Sequence, residues 1–315
     1  MTPRQAAIAA LKRERPDALV PHLELEFQLA EELWGPEKRS LRAEHLEGVT
    51  GAARQDALKR NAQNWVDIAR RYKWNVITGL HWLSLEDQCR SFRYIREISG
   101  DEFMLSVFAD GTFSIPSGTD MLEHVIWLTE HTQEALQTAE NHAQNAIAHV
   151  KTAVEAGGEV VMMCADYCFN DGPFLSPTMF RQFVTPYLTK VVAAIHEAGA
   201  FPVKHTDGQI MPILDQMVDS GIDALHSLDP MAGVDIAEVK RLYGDRICLI
   251  GNVNCARVQA GTKEEVRQSA EYCLKHGGVQ QGGYIYATSN CIFEGVPIEN
   301  YEEMLRVREE LGYPA

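Results

Sequence analysis

His205 and Asp207 stand two residues apart at the end of a short apolar run, FPVKHTDG. Alternate residues of an extended strand point the same way, so both side chains can reach one ion. Asp229 closes the next such run, DALHSLDP, and Cys291 closes the last, YIYATSNC. Together they offer the nitrogen, oxygen and sulfur donors that zinc takes at about 2.0–2.3 Å, usually four at a time, with one position open in a catalytic site. If all four bind, substrate must displace one or expand the shell. Taken singly, these residues have plainer roles: His205 as a hydrogen-bonded interior histidine, Asp207 as a helix cap, Cys291 as a buried thiol. Their joint occurrence at successive strand ends points to a metal.

The same reading collects further polar residues just past apolar runs. Glu24 and Glu26 follow the first run, Asp110 the third, and Asp166 with Tyr167 the fourth. Beyond them come His226, then Asn252, Asn254 and Cys255, then Ser289 and Asn290. Asp166 or Tyr167 can orient or protonate a leaving oxygen, although Asp166 also fits a loop cap. Glu24 and Glu26 are expected to face substrate, or else solvent or a lysine. Asn252 and Asn290 offer neutral hydrogen bonds to substrate or to loop backbone, and Cys255 is a reserve metal ligand. His226 reads as a hydrogen-bond partner rather than a ligand. Cys164 reads as a buried thiol.

Those positions require a particular scaffold. From about residue 155 the chain repeats one unit: an amphipathic helix ending at glycine, a short apolar run, then a polar cluster. EAGGEVVMMCAD, HEAGAFPVKHTDG, VDSGIDALHSLDP, LYGDRICLIGNVN and LKHGGVQQGGYIYATSN are five statements of it. Apolar runs without strict alternation suit strands of a parallel sheet covered on both faces. Strands are predicted at Leu19–Glu24, Trp74–Gly79, Phe103–Ala109, Val160–Cys164, Phe201–His205, Ile222–Ser227, Ile247–Ile250 and Tyr284–Ala287. Helices are expected near residues 26–72, 84–98 and 119–156. Another opens at Ser176-Pro177, with Pro186 kinking or splitting it, and one follows the Thr262/Glu265 capping box. Eight strands with intervening helices predict an α/β fold, a single (β/α)8 TIM barrel with extra N-terminal helices. The alternative is an open doubly wound sheet, but no G-x-G-x-x-G follows an early strand and no phosphate-loop motif occurs. One domain is expected over residues 1–315, with residues 1–72 forming an N-terminal helical extension plus the first strand. A parallel barrel carries its active site at the carboxyl ends of its strands, which is where these polar residues fall.

Composition narrows the partners. With 29 Lys plus Arg against 44 Asp plus Glu, the net charge is −15, which argues against nucleic acid or an anionic membrane. No signal-peptide or membrane-spanning run is apparent. Seven scattered cysteines read as reduced thiols, giving the expectation of a cytoplasmic protein. Trp34, Trp65, Trp74, Trp82 and Trp127 all lie in the N-terminal half, where packing or an aromatic-substrate pocket would use them.

The segments FNDGPFLSPTMFRQFVTPYL, KHTDG, DALHSLDP, YGDRICLIGNVNC and TSNCIFEGVPIENYEEM resemble the uroporphyrinogen decarboxylase superfamily over most of residues 155–310. The likeness is looser in residues 1–150, where RQAAIAALKRERPD matches best. The resemblance implies a (β/α)8 barrel and two branches of activity, decarboxylases and zinc-dependent methyltransferases that work with corrinoid proteins. The methyltransferases carry His-x-Cys at the fifth strand end and a cysteine at the eighth, and some have an acidic residue after the sixth. His205, Cys291 and Asp229 match these in turn. Asp207 stands where the first cysteine would be, making a harder and more Lewis-acidic site.

The decarboxylases of this superfamily bind a polycarboxylate through an arginine-rich N-terminal segment. Here that segment reads VPHLELEFQ, and Glu24 and Glu26 would repel such a ligand. The expectation is therefore methyl transfer from an O-methyl donor, an aromatic methyl ether first, to the reduced corrinoid (cobalamin) of a partner protein, with Zn2+ as Lewis acid. The alternatives are a metal-free decarboxylase with Asp166 as its charged partner, and a barrel that binds a corrinoid protein without chemistry.

Overall fold

The computed structural model describes residues 1–314. Seven parallel strands form one curled sheet: β1 (Val76–Ile77), β2 (Met104–Phe108), β3 (Val160–Cys164), β6 (Phe201–Thr206), β7 (Ala224–Ser227), β8 (Cys248–Val253) and β9 (Tyr284–Thr288), in that spatial order. A short antiparallel hairpin, β4 (Cys168–Phe169) with β5 (Gly172–Pro173), follows β3.

The eighth position is filled by an irregular segment. Tyr286 N on β9 donates to Pro21 O at 2.8 Å, and Asn75 N beside β1 donates to His22 O at 2.8 Å. His22 N in turn donates to the Asn75 side-chain oxygen at 2.9 Å. Residues 20–25 are thus hydrogen-bonded on both sides and close the (β/α)8 barrel. Pro21 and a side-chain acceptor replace part of the regular ladder, which is why the expected first strand appears as an isolated bridge, His22 to Tyr286.

Side chains separate by face. Leu23, Val76, Met104, Met162, Val203, Ala224, Ile250 and Ala287 pack together in the barrel interior. Ala7, Ala10 and Leu11 of the capped N-terminal helix Pro3–Leu11 join them and plug the amino end of the barrel. The opposite faces pack against the helical layer. That interior is filled by side chains rather than hollow, so chemistry is confined to the carboxyl-end mouth.

Local signals set several boundaries. Ser176 and Thr262 cap their helices, the latter as a full capping box. The proline effect splits one expected helix into Pro177–Phe183 and Thr185–Glu197. Residues 119–156 also divide, into Asp120–Glu130 and Thr132–Glu155 around His131. The stretch 26–72 is less helical than its composition suggests. Only Ala30–Trp34 and Gly51–Arg71 are α-helical, with two 3-10 turns between them.

Glu24 lies in the closing segment, between the barrel and its outer helices. It is fully enclosed, with Oε2 accepting from Thr288 N at 3.3 Å and Thr288 Oγ1 at 2.5 Å. Oε1 has no hydrogen-bond partner. Burial pushes its carboxyl from 4.5 up to about 8, against the pull of the Thr288 hydrogen bonds. The expectation that Glu24 faces substrate is therefore corrected: alternation along 23–25 sends the leucines inward and this carboxyl outward, under the helices.

Two outcomes follow from these positions. Gly208, at φ +85, lies where an added Cβ would sit 2.6 Å from the Cys168 and Phe169 carbonyl oxygens of the hairpin. Gly208→Ala should cost about 1–3 kcal/mol, read as a lower urea midpoint. For Glu24, the folded chain holds a proton between about 4.5 and 8 that the unfolded chain releases. Stability should therefore fall as pH rises through that interval, by up to about 1.4 kcal/mol per pH unit. Glu24→Gln should flatten this decline, and stability–pH curves that run parallel for the two proteins would contradict the assignment.

Candidate metal centre at the barrel mouth

Parallel pairing sets the level of the site. Cys164 on β3 pairs with His205 on β6, which pairs with His226 on β7. Partners in register present their side chains on the same face, so all three stand side by side at the carboxyl end. His205 Nδ1 lies 2.8 Å from His226 Nδ1, and His226 Nε2 lies 3.2 Å from the Thr288 carbonyl oxygen. Both rings are enclosed, and burial drives both away from the charged form; for His226 the neighbouring His205 adds to the effect.

On its other side, His205 Nε2 is 4.0 Å from Asp166 Oδ1 and 4.0 Å from Asp207 Oδ1. Among the described residues, Asp166, His205 and Asp207 form the one group of three metal-capable side chains with ligand atoms all within 4.8 Å of one another. Two ligands each about 2.1 Å from a tetrahedral ion are about 3.4 Å apart, so small rotations would bring this set onto one cation. The donor chemistry fits zinc: one imidazole nitrogen and two carboxylates, whose charge a dication would balance.

The carboxylates are held in place. Asp207 Oδ1 accepts from Ser227 Oγ at 2.6 Å and Oδ2 from Asn290 Nδ2 at 2.5 Å. Burial pushes the Asp207 carboxyl up to about 6; the nearby Asp166 and Asp229 carboxylates add to that, while Ser227 and Asn290 oppose it. Asp166 Oδ1 accepts from Asp207 N at 3.2 Å, and about half of its side chain remains exposed in the mouth. Ser227 and Leu228 adopt φ of 86 and 50, a strained conformation for residues with a Cβ, at the turn that aims Ser227 at Asp207.

Beneath the loop carrying Asp166 lies a charged pair with no water access on its cationic side. Lys204, fully buried, donates to Asp110 Oδ2 at 2.6 Å and to the Met163 and Ala165 carbonyls at 3.1 and 2.9 Å. Asp110 Oδ2 also accepts from Ala165 N at 3.0 Å. These bonds fix the backbone on either side of Cys164. Tyr167 faces this layer rather than the mouth: its ring lies 4.1 Å from Lys204 Nζ and its hydroxyl 2.6 Å from Thr112 Oγ1. Its expected contact with a leaving oxygen is corrected accordingly, since alternation after Asp166 turns it into the core.

The remaining candidates divide similarly. Asp229 caps the 3-10 turn Pro230–Ala232 through Met231 N at 2.8 Å and accepts from Gly208 N at 3.3 Å, outside the three-residue group. Asn252 is buried, donating to Leu228 O at 2.7 Å and accepting from the Cys273 thiol at 3.2 Å, so it serves the scaffold rather than substrate. Asn290 reaches the site through Asp207. Cys255 is half-buried, its backbone N on Ser289 Oγ at 3.3 Å. Cys291 is buried at the inner wall; burial first, then Glu26, Glu24, Asp207 and Cys164, push its thiol well up. Glu26 takes His81 Nε2 at 3.0 Å and Gln28 Nε2 at 2.9 Å. Burial works against its charge, but His81, Gln28 and Arg42 outweigh that and hold its carboxyl below the usual range.

The expectation that Cys164 is buried is also corrected. It is exposed at the mouth, in register with His205. Its position at the end of the fourth run matches that of His205 at the end of the fifth, a signal that aligning the runs would have exposed. Beyond it, His81 stacks on Phe108 at 4.1 Å and meets Trp82 at 4.6 Å, with Arg42 4.2 Å from the Trp82 ring. Trp65 and Trp74 are core residues.

Known proteins resemble this chain in sequence and in fold. Methylcobamide:CoM methyltransferase MtaA of Methanosarcina barkeri is 27% identical over 222 residues, covering 70% of this chain and 62% of that protein. The chain thus spans less than two thirds of that relative's length. Uroporphyrinogen decarboxylase of Coxiella burnetii is 29% identical over 164 residues, covering 49% of this chain and 41% of that protein. A solved methyltransferase from Methanosarcina mazei superposes with a TM-score of 0.73 at 18% identity, covering 98% of this chain and 99% of that one. No helix among the described residues is long and apolar enough to cross a membrane. Residues 74–311 match the family model described as uroporphyrinogen decarboxylase (URO-D), and the chain belongs to that family.

Proposed function

We propose that this protein is a methyltransferase that moves a methyl group from an O-methyl donor, an aromatic methyl ether first, to the reduced corrinoid of a partner protein. The observation that carries this reading is His205 Nε2 facing Asp166 and Asp207 at the mouth, in a chain related to a methylcobamide methyltransferase. Asp166, His205 and Asp207 would hold zinc, and Cys291 on the inner wall is the thiol available as a fourth ligand. Zinc in this site supplies Lewis acidity toward the donor oxygen.

The chain's own residues do the rest. Ser227 and Asn290 occupy one lone pair on each Asp207 oxygen and keep that carboxylate turned toward His205. Lys204 and Asp110 anchor the backbone before Asp166. His81, packed against Phe108 and Trp82, forms an aromatic cluster against which an arene could pack. In the transfer the O–CH3 bond would break, the methyl group passing to the partner's reduced corrinoid, which would supply the electron pair for the new bond, while the released oxygen would keep its pair and take a proton from solvent. Against decarboxylation of a polycarboxylate, the mouth presents Glu26, Asp166 and Asp207, like charges that would repel it.

Purified protein is expected to bind about one zinc per chain by metal analysis. Chelation should abolish methylation of a reduced corrinoid protein by an aryl methyl ether, and added zinc should restore it. His205→Ala and Asp207→Ala should each weaken zinc binding by 10-fold or more, on the order of 1.4 kcal/mol or above. Full transfer by metal-free protein would end the proposal, and release of CO2 from uroporphyrinogen would replace it with the decarboxylase reading.

A further inference from the structure

Two carboxylates beside a neutral imidazole normally draw its proton toward themselves. Asp166 and Asp207 flank His205 Nε2 at 4.0 Å each, so electrostatics alone favour an N–H at that atom. A protonated Nε2 cannot bind a metal. Something must hold the proton on the other side of the ring if the mouth is to take a cation.

We infer that His226 is the positioning residue that does this, fixing His205 as its Nδ1–H tautomer and leaving Nε2 as a bare lone pair between the carboxylates. The Thr288 carbonyl can only accept, so His226 Nε2, 3.2 Å away, carries the proton. A neutral ring has one N–H, which makes His226 Nδ1 an acceptor. His205 Nδ1, 2.8 Å from it, is therefore the donor. Sheet hydrogen bonding and Glu24, whose Oε2 accepts from both Thr288 N and Thr288 Oγ1, hold Thr288 in place. The preference thus starts at a backbone carbonyl of β9, crosses one strand through His226, and ends at the lone pair of His205. The tautomer follows from the hydrogen bonds themselves; its consequence for metal binding rests on the reading given under Proposed function.

The test is nitrogen-15 NMR of the histidine rings in metal-free protein near neutral pH, paired with zinc affinity from chelator competition. His205 is expected as Nδ1–H and His226 as Nε2–H. An Nε2–H signal for His205 in the wild-type protein would overturn the inference. His226→Gln keeps an acceptor for His205 and a donor for Thr288, so its zinc affinity should stay within about threefold of wild type, whereas His226→Leu should lose about 10–100-fold and move the His205 proton to Nε2. Equal affinity in wild type and His226→Leu would overturn the positioning role, and if the leucine variant does not fold, the wild-type spectrum decides. Wild-type protein that shows the Nδ1–H tautomer yet binds no zinc would instead sink the metal reading and leave the tautomer assignment standing.

Discussion

Two carboxylates pressed toward one ring nitrogen are electrostatically costly, and much of the mouth is arranged around that cost. At a separation of a few ångströms and an effective dielectric near 20, the repulsion is on the order of 1–3 kcal/mol once solvent screening of the half-exposed Asp166 is allowed for. A proton on Asp207 relieves it, and the repulsion adds to burial, the larger cause, in raising that carboxyl. A divalent cation relieves it more completely. Ser227, Asn290 and the Asp207 backbone do not remove the repulsion; they prevent the carboxylates from rotating away to escape it.

That geometry is possible because a parallel sheet keeps register across strands. Cys164, His205 and His226 occupy equivalent positions on β3, β6 and β7 and so arrive at one height. The strand faces then separate labour. Inward or mouth-facing residues can meet substrate, while their outward neighbours Lys204, Tyr167 and Thr288 build the support beneath them. Lys204 shows the division most clearly. Its charge is buried one residue from His205; one of its bonds goes to Asp110 after β2, and the other two to the Met163 and Ala165 carbonyls just ahead of Asp166. A buried charge is tolerated when it is paired and its donors are used, and three acceptors meet that requirement.

With Asp207 rather than a thiol beside His205, the pocket has a harder donor set. Thiolates favour soft ions and thiol substrates, whereas carboxylate and imidazole donors leave a cation more electron-poor and better suited to an oxygen. The two thiols nearby, Cys164 and Cys291, come from different strand ends, and burial raises the Cys291 thiol. The chain is similar in sequence both to a methylcobamide methyltransferase and to a uroporphyrinogen decarboxylase, so the donor set at the mouth, not the fold, separates the two chemistries.

Much of the architecture was legible in the chain itself. Apolar runs bounded by glycine and polar clusters marked the strands, Ser176 and Thr262 marked helix starts, and the His205/Asp207 spacing marked a place where two donors converge. These are local properties, fixed by backbone geometry over a few residues. Tertiary structure alone decided which strand ends become neighbours. It brought Asp166 rather than Asp229 to His205, because hairpin and loop packing through Gly208 fix where each carboxylate points. It also sent Glu24, Tyr167 and Asn252 into the support layer, since a single residue of register or a bend at a strand end exchanges mouth for core. His226 became the partner of His205 for the same reason: side chains 21 positions apart meet only when their strands pair.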